Sequence, residues 1–423
     1  MSRAMKDSGV PWLKEIPVNW KVERGKNVLA LQKRPVRDND EVVTCFRDGE
    51  VILRSLRRTE GFTMSDKEIG YQGINEGDIV IHGMDGFAGA MGVSKSTGKG
   101  SPVLIVCTPK YDAIPQYIIY YLRALAMTDV FVALATGIRE RSCDLRWNKV
   151  SELEFIMPSS SEQQAIVEFL DRKCAEVDEM IALQEQIIEE LRAYKQSVIT
   201  EAVTKGLNPA APMRDSGIEW IGQIPEHWEV RRIKFIGKAE NGLTYSPNDV
   251  CDESEGILVL RSSNIQNGKL AFDDNVYVRS VPDSLRVRVG DIIICSRNGS
   301  ASLVGKSALV DSEIDASFGA FMMRFRSNHN HKYIHFLLTA TISHYKQLFT
   351  TTTINQLTIG LINNIAMPFV EDATEQQAIA DYLDEKCADI DSLIQTKQSK
   401  IDSLKEYKKS IIYEYVTGKR EVE

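Results

Sequence analysis

Apolar residues recur at Ile166, Leu170, Val177, Ile181, Ile188, Leu191, Tyr194 and Val198, with charged residues filling most positions between. Spacings of three, four and seven place them on one stripe of a helix whose other faces are wetted. The stripe returns 213 residues later at Ile379, Leu383, Ile390, Ile394, Ile401, Leu404, Tyr407 and Ile411. From Glu162 to Thr204, 21 of 43 positions are identical to Glu375–Thr417 without a gap, so the chain contains an internal repeat. Each copy opens on hydroxyl-x-x-Gln, Ser161…Gln164 and Thr374…Gln377, which predicts a capping box. Neither then contains Pro or Gly before Gly206 and Gly418, where the helices should stop. About 43 residues make a rod of roughly 64 Å. A stripe so narrow wants a partner helix, and the other copy is the obvious one. Phe169, Val167, Met180, Ile187 and Ile199 exceed what a two-stranded seam consumes and predict a further partner, whose helices complete a four-helix bundle.

The remaining sequence is also duplicated. Asp7-Ser-Gly…Trp12…Ile16-Pro17…Trp20 returns as Asp215-Ser-Gly…Trp220…Ile224-Pro225…Trp228, a turn signal followed by two large apolar anchors. This pattern reads as a staple docking the chain onto a domain. Short strands and turns follow: Val51–Arg54 matches Leu258–Arg261, and Gly77-Asp78 before an apolar run matches Gly290-Asp291. Tyr117–Ala126 and Tyr333–Thr341 look like short amphipathic helices, and each domain closes near Met157-Pro158 or Met367-Pro368. The expected division is a first domain over 1–158, a long helix over 159–206, a linker over 207–214, a second domain over 215–370, and a second long helix with its tail over 371–423. The fold class is α+β. Two mixed α/β domains should stand in pseudo-two-fold repeat, separated by two long antiparallel coiled-coil helices.

No apolar run approaches a membrane span and the start has no signal-peptide core, so the cytoplasm is the expected location. Seven cysteines without a CxxC argue against a disulfide framework. A net charge of −8 allows nucleic-acid binding only through a confined basic face, or with a partner that supplies positive charge.

Taken together, the two staples, the two E-Q-Q-A-I…L-D-x-K…Y-K-x-S helices and the V-T-K-G and V-T-G-K ends closely resemble the specificity subunit of type I restriction-modification systems. The resemblance covers nearly the whole chain. It implies two target-recognition domains, each reading one half of a split, asymmetric DNA target, with the paired helices as a ruler between them. It implies partners as well: double-stranded DNA, two modification subunits that bind S-adenosylmethionine and methylate adenine N6, and motor-nuclease restriction subunits using ATP and magnesium. The chain itself should bind no cofactor and carry no active site. The alternative is a coiled-coil scaffold holding two domains for ligands other than DNA.

Framework residues repeat between the halves, whereas the presumed contact loops differ. Leu56-Arg57-Arg58 faces Ser263-Asn264-Ile265, and His82-Gly-Met-Asp85 faces Cys295-Ser-Arg297-Asn298. Thr136-Gly-Ile-Arg139-Glu-Arg141 stands opposite Thr352-Thr-Ile-Asn355-Gln356. Arg suits guanine and Asn or Gln suits adenine in the major groove, while Ser, Thr and Lys serve phosphates. The candidate DNA-contacting residues are therefore Arg57, Arg58, Lys95, Arg139, Arg141, Asn264, Arg297, Asn298, Thr352, Asn355 and Gln356. Arg54 and Arg261 join them; because they repeat, they suit framework or phosphate better than a particular base.

Three look-alikes carry less. Gly299…Gly305-Lys306-Ser307 is one residue too long for a phosphate loop, and its counterpart Gly92-Val93-Ser94 lacks the lysine. His331 and His335 share a helical spacing without the further ligands zinc needs, and read as a surface helix face. Asn208-Pro209-Ala210-Ala211 lacks the second proline and the aromatic of an adenine-methylase tetrapeptide.

Overall fold

The computed structural model describes residues 3–57, 69–128, 130–131, 145–346 and 355–422. It divides into two compact units, Met1–Glu185 with Gln398–Glu423, and Gln186–Lys397. The helices Ser160–Lys205 and Ala373–Val416 each contribute one part to either unit. Helix and sheet are mixed throughout. Arg58, Arg139, Arg141 and Thr352 lie outside the described residues.

In the first unit the staple is a hairpin, Met5–Val10 against Leu13–Pro17. Asp7 Oδ1 accepts from Gly9 N at 3.0 Å while Gly9 takes φ +68°, the left-handed turn that D-S-G encodes. An antiparallel sheet follows in the order Leu29–Leu31, Leu104–Pro109, Ile79–His82, Met91–Val93. Helix Pro115–Met127, with Pro at its first turn, contributes Tyr117, Ile118, Tyr121 and Leu122 to the core beside the sheet's Ile79, Ile81 and Cys107. Strand Glu154–Met157 closes the unit by pairing with Lys21–Arg24.

The second unit repeats this plan. Its hairpin is Met213–Asp215 with Gln223–Pro225, and its sheet runs Gly237–Asn241, Met322–Ser327, Ile292–Cys295, Ser307–Leu309. Helix His331–Tyr345 is capped by the Asn330 side chain, which accepts from Tyr333 N at 3.0 Å. A second sheet here contains a parallel pair, Ile257–Leu260 with Ala316–Phe318.

Within each unit the two long-helix segments run antiparallel. In the first, Phe169 packs on Tyr415 with centroids 4.3 Å apart, and Lys408 Nζ donates to Asp178 Oδ2 at 2.7 Å. In the second, Lys195 Nζ donates to Asp391 Oδ1 at 2.6 Å, so the same residue pair recurs at the repeat offset. The helices begin earlier than expected from the predicted boxes. Ser159 Oγ accepts from Glu162 N at 3.3 Å, and Asp372 Oδ1 accepts from Thr374 N at 2.9 Å. Gln164 and Gln377 instead donate along the helix to Glu168 and Asp381.

The surplus apolar positions are also revised. Val167 and Ile199 are buried in the unit cores and Phe169 is half-covered by Tyr415. Outward-facing apolar residues on the long helices include Met180 with its repeat mate Leu393, and Tyr194 with its mate Tyr407, between 42% and 59% exposed, and also Leu183 and Tyr382. No described helix is long and apolar enough to cross a membrane.

Candidate nucleic-acid interface

Each unit carries a buried aspartate at the start of its central strand. Asp78 and Asp291 follow glycines at φ +86° and +92°, and both are almost fully buried. Asp78 holds Arg34, whose Nη2 donates to Oδ1 at 3.1 Å; Asp291 takes a two-pronged bond from Arg326 at 2.6 and 2.7 Å. Such forked pairs fix geometry, and here they anchor the central strand.

At the far end of that strand three segments meet identically in both units. Gly83 N donates to Val103 O at 2.9 Å and Leu145 N to Gly83 O at 2.9 Å. In the second unit Ser296 N donates to Phe321 O at 3.0 Å and Leu357 N to Ser296 O at 2.7 Å. The joint is common framework, and the side chains projecting from it differ.

In the second unit the joint gathers several of the expected residues. Arg297 and Gln356 form an antiparallel bridge, so their side chains emerge on one side. Both are exposed. Asn298 N donates to Asn355 O at 3.4 Å, and Asn298 Nδ2 to Ser262 Oγ at 3.1 Å. Asn355 Nδ2 donates to Gly299 O at 3.3 Å. The Arg297 guanidinium lies 5.3 Å from the Phe321 ring centroid, and Phe321 is 60% exposed.

Asn264 has to be moved from the interface to the interior. It is fully buried; its Nδ2 donates to Ala271 O, Asp274 O and Asn275 Oδ1, and its Oδ1 accepts from Arg261 N. It shapes the turn and presents nothing outward. Arg261 shares this framework character: Nη2 pairs with Asp274 Oδ1 at 2.8 Å while its Nε is buried without a partner.

The first unit is differently equipped. Arg54 Nε donates to Thr44 Oγ1 at 3.2 Å. Arg57 stacks 4.2 Å from the Phe46 ring centroid and bonds Asp48 and Glu50, and Lys95 bonds the same Glu50 at 3.0 Å. The Arg57 hydrogen bond holds the Asp48 carboxyl below the usual range. Exposed pairs of this kind contribute about 0–1 kcal/mol. Met84, 54% exposed, occupies the place of Arg297, and Asp85, paired with Arg47, that of Asn298.

The look-alike motifs are engaged elsewhere. Lys306 Nζ donates to the Ser262 and Ile265 carbonyls, and burial pushes its pKa down. The lysine locks two loops together and faces no phosphate. His335 is half-buried, and its Nε2 is enclosed without a hydrogen-bond partner, so the ring tip is not presented on the expected surface face. Among the described residues no group of three or more His, Cys, Asp or Glu could hold a metal.

Sequence reasoning missed Phe321. Between Ala320 and Met322 it reads as core, and only the turn before strand Met322–Ser327 faces it outward.

Residues 225–417 match the model of a family described as type I restriction modification DNA specificity domain. The type I restriction enzyme StySPI specificity subunit of Salmonella potsdam is 29% identical over 211 residues, 47% of this chain and 44% of that protein. The chain thus spans about half the length of that relative in the matched region. The type I restriction enzyme MjaVIII specificity subunit of Methanocaldococcus jannaschii is 24% identical over 432 residues, covering 96% of this chain and 93% of that one. A solved structure from work on complex assembly and conformational transition of the type I R-M system superposes with a TM-score of 0.71. At 15% identity, over 96% of this chain and 99% of that one, it shows a shared fold.

Proposed function

We propose, from the match of residues 225–417 to the model of the type I restriction modification DNA specificity domain, that this chain is the DNA-recognition subunit of a type I restriction-modification complex. It reads a split, asymmetric target, one half-site per unit, and performs no chemistry itself. One observation carries this: the same three-segment joint bears Arg297, Asn298 and Phe321 in one unit and Met84, Asp85 and Val103 in the other. Equal scaffolds with unequal side chains suit two different short sequences.

The long helices set the distance between half-sites and carry the modification subunits. Met180, Leu393, Tyr194 and Tyr407 are the apolar surface such a subunit covers, once per repeat. Restriction subunits join through that assembly. The test exchanges residues of about 20–157 for those of another family member and maps methyladenine genome-wide. One half-site should change and the other persist. A simultaneous change in both removes the independent-reader reading.

A further inference from the structure

Resting on that reading, we propose that Arg297, held against the Phe321 ring, reads a guanine in the half-site of the second unit, and that Phe321 is its positioning residue. Three other cations around this edge are engaged. Arg261 pairs with Asp274, Lys306 bonds two carbonyls, and Lys346 Nζ donates to Ser302 O at 2.5 Å. Arg297 makes no ion pair and no side-chain hydrogen bond among the described residues; its guanidinium rests on the Phe321 ring. An exposed arginine otherwise samples many rotamers, and a ring face beneath the guanidinium narrows that choice while leaving the donors open. A planar fork of open donors matches O6 and N7 of guanine.

Phe321 is not needed for the fold of its turn. The first unit closes the same joint with Val103, half-buried against its core, and makes the corresponding 2.9 Å bond from Gly83. A 60% exposed phenyl in its place has no packing role to explain it, and the cation above it supplies one. Gln356, bridged to Arg297 through the backbone, continues the polar edge toward the neighbouring base pair. Met84 stands at the first unit's equivalent point and has no donor, so guanine reading there is not expected.

The complex, purified through a tag on the full chain, is incubated with a randomised duplex library, and bound sequences are read. The parent should enrich a split target with a fixed guanine in one half. Arg297→Ala should reduce preference for that guanine by roughly tenfold to a hundredfold, with every other position and the other half-site unchanged. Phe321→Ala should relax the same position and Phe321→Tyr should restore it, an effect that general loosening of the domain does not produce. If the parent selects a split target and Arg297→Ala keeps every base preference, the guanine assignment is wrong while the subunit reading stands. If Phe321→Ala loses preference evenly across the half-site, Phe321 is structural. A parent that selects no sequence at all overturns the subunit reading itself.

Discussion

The indole Nε1 of Trp20 donates to Glu162 Oε2 at 2.9 Å, and 208 residues on Trp228 repeats the bond to Glu375 Oε1 at 3.0 Å. Both tryptophans are essentially fully buried. The second anchor of each staple therefore binds the first acidic residue of an E-Q-Q-A-I motif. It also meets a helix end: a Cβ added at Gly418 would lie 2.4 Å from Pro17 and 3.1 Å from Trp20, and one at Gly206 would lie 3.2 Å from Trp228. The following glutamine completes the junction. Gln163 bonds Pro158 O and Ile114 N; Gln376 bonds Val370 O and Asn330 N. The duplicated motifs are one interlocking joint made twice.

Replacing Trp20 with Phe should cost about 1–3 kcal/mol, because the ring mostly refills the site while a partly buried carboxylate loses a donor. Trp20→Ala should cost about 3–5 kcal/mol. Gly418→Ala combines a φ of +72° with the Pro17 clash and should be destabilising too. Urea unfolding measures all three; a neutral Trp20→Ala would deny the joint its role.

Asn264→Ala should lower stability by about 2–4 kcal/mol, since it leaves several buried backbone groups without partners. Arg297→Ala should leave the melting temperature within about 1 °C, because an exposed side chain without an ion pair is being removed. Differential scanning calorimetry on both variants separates framework from reader. Equal losses would put Arg297 in the framework.

The helix ion pairs predict a charge-swap pattern. Asp178→Lys should destabilise by up to about 1 kcal/mol by facing Lys408 with a like charge, and Asp178→Lys with Lys408→Asp should recover most of it. The equivalent exchange at Lys195 and Asp391 should behave alike. Absence of recovery in the double variant would mean that the pairs do not fix the helix register.

Seven residues inserted after Gln184 and again after Lys397 keep the apolar stripe in phase and lengthen each helix by about 10.5 Å. With base pairs stacked about 3.4 Å apart, the preferred spacer should grow by about three base pairs, with both half-sites unchanged. Methylation of duplexes with graded spacers reports the optimum. An optimum equal to the parent's rules the helices out as the ruler.

Burial pushes the His335 imidazole down to about 4. The unfolded chain, with a value near 6.5, takes up the proton first, so this contribution to stability is complete above about pH 6.5 and is lost as pH falls toward 4. His335→Leu should flatten that limb of the melting-temperature profile. Parallel profiles for parent and variant would remove His335 as its source.

The sequence alone determined the repeat, the long helices, the D-S-G turns and the order of elements. These rest on local physics: a 3.6-residue period, left-handed glycines and the absence of helix breakers act over a few neighbouring residues. The resemblance to specificity subunits, drawn from the same motifs, is borne out by the match over residues 225–417. What tertiary structure decided was which polar residues face outward. Asn264 lies between Arg261 and the 271–275 strand connection, so its amide is consumed inside. Lys306 meets the Ser262 and Ile265 carbonyls across more than forty residues of chain, and Arg57 and Lys95 meet the Asp48–Glu50 turn. Phe321 became visible as a partner of Arg297 only when the strand order brought their turns together. Burial and pairing are set by contacts between distant segments, and residue type at one position carries no record of them.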